Sequence, residues 1–172
     1  MRKLTDGLGA AMRARPRPPA DARELCRALC EEMGVLRGGR PVELRFERFP
    51  DELEVTGLWV EFSDFDLVIV EERAEAVQQL VILGHELWHL HAGHSHHHVA
   101  GAALADRRRW TDVALSVAAR DGSRAADEAE ADDFGHRLAA AFRPLLSGRD
   151  ADAPLGRIQR SLGYRGRGGT GR

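Results

Sequence analysis

The sequence predicts an α+β domain in which a three-stranded, mostly antiparallel sheet packs on a helix carrying H-E-x-x-H and on further helices. Three observations lead there. Short β-rich runs cluster between residues 42 and 70, two long stretches with helical apolar spacing follow them, and Pro- or Gly-rich segments mark both ends of the chain. At 172 residues with 43% hydrophobic and 30% charged side chains, the chain is long enough for one core without disulfide staples, and its composition fits neither a disordered nor a membrane-embedded protein.

The N-terminal residues 1–19 read as a flexible basic arm. Arg2, Lys3, Arg13, Arg15 and Arg17 stand there against only Asp6, and Pro16, Pro18 and Pro19 separate the arm from the domain. Such charged termini are most often solvated, so no nucleic-acid partner is expected. Leu8–Met12 is too short and too weakly apolar for a secretory core, and no window approaches membrane-spanning length, so a cytoplasmic location is expected. Residues 20–146 form the domain, and 147–172 read as a mostly disordered Gly/Arg-rich tail.

Within the domain, a first helix is expected over Ala20–Gly34, started by Asp21 and stopped by Gly34. It carries the two cysteines, Cys26 and Cys30, on one face, a spacing that suits small core residues better than a redox pair. Strands come next at Val42–Phe46, Gly57–Phe62 and Leu67–Val70. The last is continuously apolar and hence central, and Ser63-Asp64 suits a hairpin turn. Val77, Leu80, Val81, Gly84 and Trp88 then recur at helical intervals from Ala74 to about His91. A weaker helix near Arg107–Arg120 and a strong one over Ser123–Phe142, closed by Pro144, complete the domain.

His85-Glu86-Leu87-Trp88-His89 carries the chemistry. Residues four apart on a helix project from one face about 6 Å apart along the axis, so both imidazoles can meet one ion, with Glu86 beside them as a general base. A catalytic Zn2+ takes three protein ligands, which leaves one to find. The metzincin pattern fails, because Ala92 and Ser95 stand where it needs Gly and His. Two sources remain. One is the His-rich stretch of His91, His94, His96, His97 and His98, in which His94, His96, His97 and His98 are also candidate accessory metal ligands. The other is the acidic run Asp127–Asp133, where Glu128 is the preferred third ligand and Asp132, one turn on, the carboxylate behind a histidine; Glu130 remains an alternative. A solvated acidic helix start would also explain that run, were there no H-E-x-x-H upstream.

Three segments in order resemble the ImmA/IrrE family of metallopeptidases: G-H-E-L-W-H-L-H at Gly84–His91, G-L-W-V-E at Gly57–Glu61 leading through L-V-I-V, and E-A-E-A-D-D-F-G at Glu128–Gly135, which looks like the family's E-x-E-A-N-x-F-A. The likeness spans roughly residues 20–146. Actinobacterial members are often described as toxin components of toxin–antitoxin systems. The resemblance implies a small zincin-like (gluzincin-like) peptidase domain, zinc on His85, His89 and Glu128, catalysis by Glu86, and a protein substrate of the helix-turn-helix regulator type. Asp132 and Gly135 depart from the family's usual Asn and Ala, and Trp88 fills a position more often small.

The expected activity is therefore zinc-dependent endopeptidase cleavage of a regulatory protein, a DNA-binding repressor or antitoxin, by Glu86-assisted attack of zinc-bound water. The alternative is a non-catalytic, zinc-stabilised protein that sequesters a transcriptional regulator; an intact Glu86 speaks against it. Substrate backbone is expected to pair with the strand Gly57–Phe62 as a sheet edge. Trp59, Phe62 and Phe65 are candidates for the cleft but more often core in so small a sheet, and the oxyanion donor, whether a histidine of 91–98 or Arg137, stays unassigned.

Overall fold

The computed structural model describes residues 1–51, 55–94 and 125–150, and its element order is α1 (Arg2–Ala14), α2 (Ala22–Leu36), β1 (Val42–Glu47), β2 (Gly57–Glu61), β3 (Asp66–Glu71), α3 (Ala76–Ala92) and α4 (Ala125–Asp150). The fold is α+β, with a mixed sheet of order β1-β3-β2. β2 and β3 form the expected antiparallel hairpin, Leu58 opposite Ile69 and Val60 opposite Leu67, closed by the Phe62 N–H donating to Phe65 O at 2.9 Å. β1 runs parallel to β3, Val42 opposite Asp66 through Glu47 opposite Glu71, so the sheet is mixed and not mostly antiparallel. The reason lies in the chain order: β2 takes one edge of β3 through a tight turn, and β1 must pair along the other edge in the direction its approach from α2 allows.

β3 is buried at every position, as its unbroken apolar run demands. Val68 and Val70 point into the main core with Trp59, the helices' Leu25, Leu29, Met33, Leu80, Leu83 and Leu87, and α4's Phe134 and Leu138. Leu67 and Ile69 point the other way, into a smaller cluster with Leu58, Val60, Phe49, Phe62 and Phe65. Trp59, Phe62 and Phe65 are therefore core residues and not a cleft lining, Trp59 donating its indole N–H to Asp66 Oδ1 at 3.1 Å and the two phenyl rings stacked 4.7 Å apart. Each fully buried side chain of this size stabilises the fold by roughly 1.5–3 kcal/mol.

Three boundaries differ from expectation. Residues 2–14 form α1 in place of a flexible arm, because Leu4, Leu8 and Met12, four apart, make an apolar stripe that the main core buries, while the basic residues face out. Arg15 then reaches α2, its Nη2 lying 2.6 Å from Glu31 Oε2. α2 starts where Asp21 caps it, accepting from the Glu24 N–H at 2.7 Å, and runs two residues past Gly34 to Leu36. α4 continues through Pro144 to Asp150, past both its expected end at Phe142 and the expected start of the tail at residue 147. Phe142 is buried and Leu146 packs against the core on either side of the proline, which offsets the single backbone hydrogen bond that Pro144 removes. The expected helix near 107–120 and the tail from 151 onward lie outside the described residues.

Cys26 and Cys30 are free and buried, and desolvation pushes the Cys26 thiol up to about 12 and Cys30 upward as well, so both behave as small apolar core residues. No helix among the described residues is long and apolar enough to cross a membrane.

Candidate metal centre

Two helices build the site. α3 buries Leu80, Leu83, Leu87 and Leu90 against the core, which fixes its rotation so that His85 and His89 emerge on the side facing α4. α4 crosses this surface at close range because Gly84 and Gly135 meet there. A Cβ on Gly84 would stand 2.8 Å from Gly135 Cα, and one on Gly135 only 2.5 Å from Val81 O. The paired glycines are what allow carboxylates from the first turns of α4 to reach the imidazoles of α3, where the helix N-terminus also favours negative charge.

The result is a group of three donors, His85, His89 and Glu128, that could hold a metal ion, with all ligand atoms within 4.8 Å of one another. His85 Nε2 and His89 Nε2 are 2.9 Å apart, Glu128 Oε2 is 3.2 Å from His85 Nε2, and Glu128 Oε1 is 3.3 Å from His89 Nε2. Ligand atoms on a four-coordinate zinc at ~2.1 Å stand about 3.4 Å apart, so the triangle is near the size such an ion needs. The hydrogen bonding behind it points the same way. Asp132 Oδ1 lies 2.8 Å from His85 Nδ1 and, as an acceptor, calls for the proton there, which leaves the Nε2 lone pair facing the centre. The Nε2 atoms of two imidazoles and a carboxylate then face one point. Imidazole nitrogens and a carboxylate oxygen at these distances are a donor set that a metal ion could occupy.

The remaining residues fall out around this triangle. Glu86 is buried, and its carboxylate lies against the first residue of β2: a Cβ on Gly57 would come within 2.6 Å of Glu86 Oε1. It stands on α3 beside the two histidines and outside the three-donor group. Asp132 backs His85 from a side chain that is 70% exposed, so water competes for it. Glu130 is exposed and outside the group. Arg137 donates to Asp133 at 2.8 Å on the surface of α4, which leaves no contact with the triangle to support it as an oxyanion donor. His91 packs on Trp88, with burial holding its imidazole below the ordinary range.

His94 stands 3.0 Å from His89, Nδ1 to Nδ1, behind the ligand and not in the three-donor group. The other proposed accessory ligands, His96, His97 and His98, lie outside the described residues. The sequence places Gly84 on the apolar face of its helix but assigns no role to Asp127, Gly57 or the contact between Gly84 and Gly135. Gly84 carried a readable signal, being a small residue in the middle of a helix of large ones, whereas Gly135 lies on an alanine-rich helix and Asp127 gains meaning only from where His94 lies.

Comparison of the chain with models of known families, with curated proteins and with solved structures finds no match. The chemistry of the site itself is therefore what bears on function.

Proposed function

We propose that this protein is a zinc-dependent endopeptidase of the ImmA/IrrE kind, with a zincin-like fold, that cleaves a helix-turn-helix regulator. The observation that carries the reading is the pairing of a three-donor triangle with a separate, buried carboxylate, Glu86, beside it. A structural metal site has no use for that carboxylate; a hydrolytic one does.

His85, His89 and Glu128 would hold the ion, which supplies a Lewis acid that polarises a peptide carbonyl and acidifies water. Asp132 keeps the His85 ring oriented and its proton on Nδ1. Glu86 is the proton carrier. Its carboxylate accepts a proton from the attacking water and returns it to the departing amine nitrogen, so the peptide C–N bond breaks with the proton balance closed. Among the described residues β2 is an edge strand, and Gly57 brings that edge against Glu86. An extended peptide that adds to this edge by backbone hydrogen bonds would therefore run past the proton carrier.

The test coexpresses the wild type or Glu86→Gln with tagged helix-turn-helix regulators encoded beside it, after both forms have been purified without nickel resin and assayed for metal. The expected result is close to one zinc per chain in both, with new N-termini in a regulator only for the wild type and a loss of about 10²–10⁴-fold in Glu86→Gln. Zinc bound by both, with a regulator retained intact by both, would establish the sequestering protein instead. No metal in the wild type would remove the basis for either.

A further inference from the structure

We infer that His94 is a positioning residue for the metal ligand His89, through a hydrogen bond between their Nδ1 atoms, in a relay whose outer end the Asp127 carboxylate biases by its charge. The inference rests on the reading that His85, His89 and Glu128 hold a divalent ion. It differs from a role for His94 as a ligand.

The two metal-facing histidines need the same thing and obtain it differently. To offer Nε2 to a cation, a neutral imidazole must carry its proton on Nδ1 and find an acceptor for it. His85 has the carboxylate of Asp132 there. His89 is 2% exposed, so solvent cannot serve it, and its Nδ1 faces His94 Nδ1 at 3.0 Å. One of two nitrogens at that distance must donate and the other accept. With His89 Nδ1 as donor, His94 Nδ1 accepts, and the proton of His94 must sit on its Nε2. That Nε2 points toward Asp127 Oδ1, 3.8 Å away, where a carboxylate favours this tautomer by its charge. The proton on His89 Nδ1 fixes the one on His94, and Asp127 at the outer end acts on His94 through its charge at 3.8 Å and not through a hydrogen bond.

The backbone shows how His94 gets there. α3 ends at Gly93 in the left-handed conformation, φ 67°, with the Gly93 N–H donating to His89 O at 3.1 Å and the His94 N–H donating to the same carbonyl at 3.2 Å. This turn folds the chain back on the last turn of α3 and sets the His94 ring against His89, their centroids 5.2 Å apart and edge-on. Asp127 comes from the first turn of α4 next to Glu128, so one helix end supplies a ligand and both outer carboxylates, Asp127 and Asp132.

The experiment measures zinc affinity by chelator competition, and the visible absorption of the cobalt-substituted protein, for the full chain and for His94→Ala, His94→Gln, Asp127→Asn and the His94→Ala/Asp127→Asn pair. His94→Ala is expected to weaken zinc about 10–100-fold while leaving the position and intensity of the cobalt bands as in the wild type, since the ligands are unchanged. His94→Gln should recover most of the affinity, its amide oxygen accepting from His89. Asp127→Asn should lose less than His94→Ala, and add nothing to it in the pair. ¹⁵N shifts of the zinc-loaded wild type should place the His89 proton on Nδ1. Unchanged affinity in His94→Ala, or altered cobalt bands that mark a lost ligand, would overturn the relay while the three-donor site stood. A wild type that binds neither zinc nor cobalt would overturn the site and the relay together.

Discussion

Glu86 works at the scale of single atoms, because the space it occupies exists only where Gly57 has no side chain. An added Cβ would overlap both Glu86 Oε1 and Ile82 Cγ2 at 2.6 Å, so Gly57→Ala must move the carboxylate or the strand. None of the three donors touches Gly57 in this way, and metal binding should survive. The expected outcome is zinc retained near the wild-type level with hydrolysis reduced about 10²-fold, the cost of a misplacement of order 1 Å. Equal loss of metal and activity would mean that Gly57 supports the fold and not the proposed proton carrier. Glu71, which is not one of the three donors, makes a separate prediction about acid stability. Hydrogen bonds from the Arg73 side chain, despite burial, and then from the backbone N–H groups of Arg73 and Phe49, hold its carboxyl at about 2 against an ordinary 4.5. A depressed folded-state value gives stability that is fully present above pH 4.5 and is lost as pH falls from there toward about 2. Glu71→Gln should therefore flatten the dependence of urea-unfolding stability on pH in that window. It should cost about 1–2 kcal/mol at neutral pH, since Arg73 itself remains partly solvated.

At the scale of elements, the meeting of α3 and α4 decides whether there is a site at all. The triangle needs two ligands from the first of these helices and one from the second, and the Gly84–Gly135 contact sets the distance between them. Gly135→Val would place a side chain 2.5 Å from Val81 O and 3.2 Å from His85 N, forcing the helices apart. It is expected to lower zinc affinity at least 10-fold and to destabilise the fold by about 1–3 kcal/mol, both readable in one titration followed by thermal unfolding. Retention of wild-type affinity would show that Glu128 reaches the metal from a looser crossing. How far the elements could be foreseen depends on the reach of the signals behind them. The β2–β3 hairpin, the buried β3 and the α3 helix are written in local periodicity, and the strand and helix residues appear where alternation and apolar spacing place them. The pairing of β1 is not local: it joins the edge of β3 that β2 leaves open and runs parallel to it. α1 was legible in principle, since Leu4, Leu8 and Met12 share one face, but charge and the prolines dominate that stretch and conceal the stripe. His94 shows the same limit at the site, for its place beside His89 comes from a left-handed turn at Gly93 and not from any ligand spacing.

For the whole molecule, the metal group should be a stabilising element as well as a chemical one. Two of the three donors come from α3 and one from α4, so an ion held between them would tie together two helices that both pack into the main core. An ion that binds only the folded chain adds RT ln(1 + [L]/Kd), about 2.7 kcal/mol at one hundred times Kd. For a domain of this length that corresponds to a rise in Tm of about 5–10 °C. Zinc added to chelator-stripped protein is thus expected to raise Tm by that amount in the wild type and in Glu86→Gln, which keeps all three donors. His89→Ala should remove the rise, because it takes one donor from the group and leaves Glu128 with a single imidazole partner. The comparison also separates the two roles assigned to neighbouring residues on one helix turn: Glu86→Gln should abolish cleavage and keep the thermal shift, whereas His89→Ala should lose both. A shift of the same size in His89→Ala would place the stabilising ion elsewhere on the chain, and the triangle would then be a partly exposed polar cluster between α3 and α4.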